Sequence, residues 1–299
     1  MKKSTLILIL ILALLAAATY VVMQRPGESS SSGSTGTMLL TYDPDRVDTL
    51  EITAPAGHIV IARASGGWEL QSPLRYPADT SALAAALRTG AALELTSVVS
   101  TNPAKRGLFK LDEAGTLVRI AERGKDAETF WVGKPGPSYN ETYVRKDNSD
   151  DVYLVGANLA TVFKDRPNDW RDKTILKVEP GMVTDVEFRY GDTTFALTHR
   201  DTLWQVGQVN ADPGAVGSFI NAIAGFSADD FVDTTTTEEP VAQVTVRGTG
   251  WTLPLTFFRP GGSDRVFVRD VGRKQTFSVY SWRASQVLKR KKDFLAAGS

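Results

Sequence analysis

The chain has no cysteine and only two histidines among its 299 residues. The lack of cysteine excludes disulfide bonds, thiol catalysis, cysteine zinc sites and a lipoprotein-type cysteine anchor. His58 and His199 both fall in patterns typical of strands, and nothing in the sequence places carboxylates beside them to complete a metal site. We therefore predict no cofactor and no metal ion, and we interpret both histidines as ordinary polar strand positions.

An excess of charge of one sign is also absent, as are familiar catalytic motifs. The 34 basic and 34 acidic residues give a formal net charge of zero, so the chain lacks the basic footprint of a nucleic-acid-binding protein. Gly133–Ser138 is a proline-rich turn and not a phosphate-binding loop, and Gly225–Asp229 lacks the second glycine of a nucleophile elbow. We predict a protein that is not an enzyme and binds no nucleic acid.

One long apolar segment is present. Leu6–Met23 contains 18 residues without a charge and follows Lys2 and Lys3, which is just long enough to cross a bilayer as a helix. It fits either a signal peptide cleaved near Ala16–Ala18 or an uncleaved anchor that uses the whole segment. We favour the anchor, because Tyr20–Met23 would be an unusual start for a mature protein. In both cases the N-terminus stays in the cytoplasm and the rest is exported.

The composition divides the chain into four parts. Residues 1–25 form the cytoplasmic start and the transmembrane anchor or signal peptide, and residues 26–37 form a Ser/Gly linker. Such a linker is flexible and has a root-mean-square reach on the order of 20 Å. Residues 38–176 and 177–299 are predicted to be two α+β repeats. A tethered body of this kind suits a protein that meets its partners at a membrane.

The two repeats are recognised by an alignment without gaps between Val47–Trp68 and Val183–Trp204. Their apolar positions agree while their exposed positions differ, as expected of two copies of one folding unit. The matched apolar pairs are Val47 and Val183, Leu50 and Val186, Ile52 and Phe188, Ile59 and Phe195, Ile61 and Leu197, and Trp68 and Trp204.

Alternating apolar residues and glycine-rich turns predict a series of antiparallel strands in each copy. A helix follows Asp79 in the first copy, and another follows Asp212 in the second, where Pro213 takes the first helical position. A last helix is predicted over residues 282–295. The predicted fold class is α+β: two tandem repeated modules, each mostly antiparallel sheet with one or two covering helices, after an N-terminal transmembrane helix.

The tryptophans divide into two groups. Trp68 and Trp204 occupy equivalent positions of the repeat, which favours a shared packing role over a sugar-stacking platform. Trp251 and Trp282 have no tryptophan counterpart in the first copy. We therefore predict these two as candidates for a binding surface.

Two runs of charge have alternative interpretations. Asp147–Asp151 lacks the residue order of a calcium loop and lies between two strands, so we interpret it as a solvated turn. The basic run is placed on the predicted last helix and consists of Lys289, Arg290, Lys291 and Lys292. It is either a solvated helix end that suits the helix dipole or a contact for anionic lipid or an acidic partner.

Several short motifs resemble the bacterial domain-of-unknown-function family 4340, over most of residues 40–175 and more faintly in the second copy. They are found at Val47–Ile52, Gly66–Leu70, Tyr76–Asp79, Val132–Lys134, Tyr143–Arg145, Val152–Val155 and Asp169–Lys173. The resemblance implies one membrane anchor followed by an exported β-rich body. It also implies an association with ABC-type transporter components and with auxiliary proteins similar to those of the gliding-motility transporter.

Two hypotheses follow for function. In the first, the chain is a non-enzymatic accessory protein, anchored in the cytoplasmic membrane through Leu6–Met23, whose body lies outside the cytoplasm. Its partners, implied by the resemblance, would be an ABC permease, an ATPase or auxiliary subunits. In the second, the chain is an extracytoplasmic binding module that holds a lipid, glycan or peptide between the two repeats.

Overall fold

The computed structural model describes residues 36–233 and 238–295. The predicted membrane segment, Leu6–Met23, lies outside these residues, as does the linker up to residue 35. Within the part of the chain that is described, no helix is both long and apolar enough to cross a membrane.

The first nine strands form one sheet, in the order β4-β3-β2-β1-β6-β7-β8-β9-β5. Its strands are β1 Val47–Ala54, β2 Gly57–Ala64, β3 Gly67–Ser72, β4 Tyr76–Pro77, β5 Leu95–Ser100, β6 Thr116–Glu122, β7 Glu128–Pro135, β8 Thr142–Lys146 and β9 Val152–Val155. The strand pairs with a described register are antiparallel.

The next nine strands form a second sheet, in the order β13-β12-β11-β10-β15-β16-β17-β18-β14. Its strands are β10 Val183–Tyr190, β11 Thr193–Arg200, β12 Leu203–Val206, β13 Val209–Asn210, β14 Asp230–Val232, β15 Pro240–Gly248, β16 Trp251–Phe258, β17 Arg265–Asp270 and β18 Gln275–Tyr280. The two orders are the same when β1 is matched to β10. The predicted pair of mostly antiparallel modules is therefore confirmed.

An irregularity shared by both sheets explains the repeated motif. The apolar spacing at Val47, Leu50 and Ile52 is three residues and then two, which does not fit a regular strand. The pairing of β1 with β6 shifts register between Val47 and Thr49, and the pairing of β10 with β15 shifts at the equivalent place. A bulge restores the alternation, so that all three side chains are buried.

The described residues contain four α-helices. They are α1 Thr80–Ala91, α2 Leu159–Val162, α3 Pro213–Ala224 and α4 Ser281–Val287. The predicted caps are confirmed: Asp79 Oδ1 accepts from the N–H groups of Ser81 and Ala82, both at 3.0 Å, and Asp212 Oδ1 accepts from the Ala215 N–H at 2.7 Å.

The prediction of one last helix over residues 282–295 is wrong. The helix α4 ends at Val287, and a 3-10 helix follows at Lys291–Phe294. Asp293 accepts a hydrogen bond from the Arg290 N–H at 2.7 Å, and Phe294 is buried at 1% exposure. The break lets Phe294 enter the core, and it also means that the basic run does not lie on a helix with a continuous dipole.

Judged by its internal contacts, the chain forms two compact units. One contains the residues up to Val60 together with Ala84–Asp165, and the other contains Ile61–Leu83 together with Arg166–Ser299. We call them unit 1 and unit 2. In unit 1 the rings of Phe130 and Phe163 meet edge to face at 5.5 Å. The core of unit 2 includes a cluster of Phe188, Phe219 and Phe294, whose ring centroids lie 5.2–5.8 Å apart.

Candidate functional site

The basic run begins against the body of unit 2. The Tyr190 hydroxyl donates to the Lys289 carbonyl at 2.7 Å, and the Arg290 guanidinium lies 3.6 Å from the centre of the Tyr190 ring. Burial raises the pKa of Tyr190 to about 12, against the opposing charge of Arg290, so the phenol stays a donor near neutral pH. Lys289 and Arg290 are thus held in place, while Lys291 and Lys292 are exposed on the following 3-10 helix.

The two predicted tryptophans lie in different environments. Trp282 is the second residue of α4 and is 58% exposed, and the Arg283 guanidinium lies 4.8 Å from its ring centre. Trp251 is half-buried against the core of unit 2. Its ring covers Gly248 so closely that a Cβ atom there would lie 2.3 Å from the indole. Trp282 is therefore available at the surface, whereas Trp251 contributes to packing.

An apolar groove, which we call the Trp204 groove, lies within unit 2 and has a volume of about 390 Å³. It is formed by the β11–β12 hairpin, by α3 and by the 3-10 helix Pro180–Met182. Its lining includes His199, Leu203, Trp204, Val216, Gly217 and Ile220.

The two walls of the Trp204 groove differ in character. On the hairpin wall the His199 ring lies 5.0 Å from the Trp204 ring, tilted by 33°, and Leu203 is 48% exposed. On the helix wall Gly217 has no side chain, and a Cβ atom there would meet nothing within 4 Å. Asn221, one turn further along α3, adds a polar amide to the lining. Such a groove suits a flat or apolar ligand with few polar groups.

His199 therefore has neighbours that the sequence did not predict. His58, by contrast, is exposed on β2, where its Nδ1 lies 2.9 Å from the Thr53 hydroxyl. Within the described residues, no three histidine, aspartate or glutamate side chains come together as a potential metal site.

A buried arginine is the polar centre of unit 2 that sequence reasoning missed. Arg171 has a side chain 1% exposed, and its guanidinium lies 3.6 Å from the ring centre of Phe231 and 4.5 Å from that of Tyr76. It donates to Asn168, Asp233 and Gln275, each contact being 2.9 Å. The pairing and stacking of the charge offset the cost of its burial, although the Arg171 Nε is buried without a hydrogen-bond partner among the described residues.

The motif around Arg171 was visible in the sequence, but four of its five partners are distant in the sequence, Asn168 being the exception. Burial raises the pKa of Tyr76 despite the nearby charges of Arg273 and Arg171. Tyr76 and Phe231, whose rings contact the guanidinium, lie far from Arg171 in the sequence. No local sequence pattern therefore predicts this cluster.

Comparison with known proteins gives one match. The family model described as Domain of unknown function (DUF4340) matches residues 68–246, more than half of the chain. The matched stretch starts later than the motifs at residues 40–175 and extends further into the second module. No curated protein and no solved structure matches the chain. The chain therefore belongs to the family Domain of unknown function (DUF4340).

Proposed function

We propose that this chain is a non-enzymatic accessory protein, anchored in the cytoplasmic membrane with its body outside the cytoplasm, and that it serves as an auxiliary subunit of an ABC-type transport system. The observation that carries the proposal is the uncharged segment Leu6–Met23, preceded by two lysines and followed by a Ser/Gly linker. The transporter partners are those that the family resemblance implies.

The test is to crosslink the full chain in native membranes, solubilise it and identify the proteins recovered with it. We expect an ABC permease and an ATPase. In a matched variant a cleavable signal replaces residues 1–37, and we expect this variant to be exported but to lose both partners. Recovery of the chain without any transporter component, under conditions that capture a known membrane complex, would contradict the proposal.

A second candidate function is ligand binding, and the Trp204 groove favours it. The ligand would be a lipid, glycan or peptide held within unit 2, with an apolar or flat portion against Trp204 and Gly217. The alternative predicted from the sequence placed the ligand between the repeats, whereas this groove is lined by residues of the second repeat alone.

Native mass spectrometry of the full chain purified from membranes tests the second candidate. The wild-type chain is expected to carry a bound mass. Gly217→Leu projects a side chain into the open space of the groove and should remove that mass, whereas the control Gly217→Ala should retain it. Equal retention by both variants would show that the bound mass lies elsewhere.

A further inference from the structure

A second cavity in unit 2 differs from the Trp204 groove in being polar and cationic. It has a volume of about 600 Å³ and lies at the hairpin turn between β17 and β18. Its lining includes Asp233, Arg269, Val271, Lys274, Gln275 and Thr276. We call it the hairpin pocket.

The charges of the hairpin pocket do not cancel. Its one acidic side chain, Asp233, accepts from Arg171 Nη1 at 2.9 and 3.2 Å, so the buried arginine behind it already neutralises this carboxylate. Among residues 36–233 and 238–295, no carboxylate forms an ion pair with Arg269 or Lys274. The pocket is therefore left with two positive charges.

The main chain of the turn that carries Lys274 is held by hydrogen bonds to a buried aspartate. Asp270 is 1% exposed, and its Oδ1 accepts from the N–H groups of Gly272 at 2.9 Å and Arg273 at 3.1 Å. Arg273 donates to Asp270 Oδ2 at 2.5 Å and to two main-chain carbonyls, those of Thr174 and Ile175. Lys274 itself has a φ of 54°. The main chain of the turn is thus held in place before any ligand arrives, which lowers the entropic cost of binding.

The equivalent arginine of the first module has different hydrogen-bond partners. Arg145 aligns with Arg269 in the repeat, but it is 4% exposed, and its guanidinium donates to the carbonyls of Lys146, Asp147 and Ser149 at 2.9–3.0 Å. It also reaches the Leu111 carbonyl, on the long connection between β5 and β6.

The second module has a shorter connection at this place, from Val232 to Pro240. Arg269 is only half-buried there: its Nε lies 3.4 Å from the Thr276 hydroxyl, and its guanidinium lies 4.8 Å from the Phe258 ring centre. In the part of the chain that the structure describes, its two Nη groups have no hydrogen-bond partner. The donors that hold a turn in the first module are therefore free to bind a ligand in the second.

We propose that the hairpin pocket binds a phosphate group through Arg269 and Lys274, the organic part of the ligand lying against Val271. An arginine fork matches two oxygens of a phosphate, and a lysine adds a point charge. Two uncompensated positive charges match the charge of a phosphate monoester near neutral pH. The phosphate could belong to a soluble ester or to a lipid headgroup, and the chemistry of recognition is the same.

The proposal is tested by calorimetric titration of the purified full chain with glycerol 1-phosphate, at low and at high ionic strength. We expect binding that weakens as salt is raised. Arg269→Gln and Lys274→Asn should each weaken it roughly tenfold or more, because each removes a charge-assisted contact. Asparagine tolerates the left-handed backbone at position 274, so the turn is kept. Arg200→Gln, which removes an exposed charge on β11, is the matched control and should bind like wild type.

A thermal melt of each variant separates loss of binding from loss of folding. Loss of binding at an unchanged melting temperature supports the site. The proposal is overturned if wild type does not bind the ester, or if Arg200→Gln weakens binding as much as the pocket variants do. Reconstitution in nanodiscs distinguishes the two sources: discs that contain phosphatidic acid, whose headgroup is a phosphate monoester, should block the soluble ester, relative to phosphatidylcholine discs, if a lipid headgroup is the ligand.

Discussion

The two modules share a strand order, but they stabilise equivalent hairpin turns with opposite charges. The turn after β8 is acidic and is held by a buried arginine, Arg145, whereas the turn after β17 is basic and is held by a buried aspartate, Asp270. In each case one buried group satisfies the main chain of the turn. The exchange of roles leaves Arg269 and Lys274 of the second module without a carboxylate partner among the described residues. One copy thus preserves the turn as structure, while the other has side chains available for binding.

The largest expected difference in the free energy of unfolding is between the removal of Arg145 and the removal of Arg269. Arg145→Ala removes a buried side chain and the donor to four main-chain carbonyls, among them that of the buried Leu111, and should lower the free energy of unfolding by about 3 kcal/mol. Arg269→Ala removes a half-exposed side chain and should cost less than about 1 kcal/mol. Urea denaturation followed by circular dichroism measures both. Equal losses would mean that the two arginines have the same structural role.

Removal of an aspartate from each turn should change the free energy of unfolding by a smaller amount. Asp270→Ala removes the acceptor for two turn N–H groups and the partner of Arg273, and we expect a loss of about 2 kcal/mol. Asp147→Ala in the acidic turn removes an exposed acceptor of the Trp131 indole and should cost below about 1 kcal/mol. A greater loss for the Asp147 variant would reverse the assignment of buried and exposed partners.

A comparison of α1 with α3 predicts a substitution that stabilises the protein. Counted from the caps Asp79 and Asp212, Gly217 of α3 corresponds to Ala84 of α1. A Cβ atom at Gly217 meets nothing within 4 Å, so Gly217→Ala should raise the free energy of unfolding by roughly 0.5–1 kcal/mol. Gly248→Ala is the control: its Cβ would lie 2.3 Å from the Met182 carbonyl oxygen, and this variant should be destabilised. Thermal denaturation of both variants measures the difference in stability. Destabilisation by Gly217→Ala would show that the helix wall of the Trp204 groove has no room for a side chain at this position.

The smallest expected effect is a difference in acid sensitivity. Glu122 in β6 accepts from Lys125 Nζ at 2.8 Å, and this hydrogen bond holds the pKa of the carboxyl below its ordinary value, against the opposing effect of burial. Because the folded pKa is the lower one, the stabilisation is complete above the ordinary carboxyl pKa and is lost as pH falls through the lowered value. Gly248 takes the equivalent position in the second sheet, so no carboxyl occupies that position there.

Unfolding curves of wild type and Glu122→Gln between about pH 6 and pH 3 provide the measurement. The variant should show a flatter loss of stability on the acid side. Identical slopes would indicate that Glu122 is not the group responsible.

The sequence was sufficient for the repeated architecture, because burial on one face of a sheet imposes a pattern on both copies. Val47, Leu50 and Ile52 are buried as their alignment predicted, as are Val186 and Phe188 of the second copy. The break after Val287 was not predictable from local propensity. No glycine or proline marks it, and it results from the tertiary burial of Phe294.

The candidate sites were less accessible to sequence reasoning. Arg145 and Arg269 each follow a valine at equivalent positions of the repeat. They differ in their surroundings: the guanidinium of Arg145 contacts the Leu111 carbonyl, whereas Arg269 lines the hairpin pocket. Leu111 belongs to a connection that is distant from Arg145 in the sequence, so local sequence around either arginine does not reveal the difference. Trp204 was interpreted as a packing residue, and its half-buried ring does pack against the core, but its contact with His199 also forms a wall of a groove.

The order of strands also constrains how each sheet is completed as the chain emerges from the ribosome. β14 pairs with β18, which is made four strands later and close to the C-terminus. Until then, β14 has an edge without its final neighbour, and exposed edges favour association with other chains. Loss of the last strand would therefore also leave β14 without its partner in the sheet. During synthesis, the unfinished second sheet must therefore be kept from aggregating until the strand that ends at Tyr280 has been made.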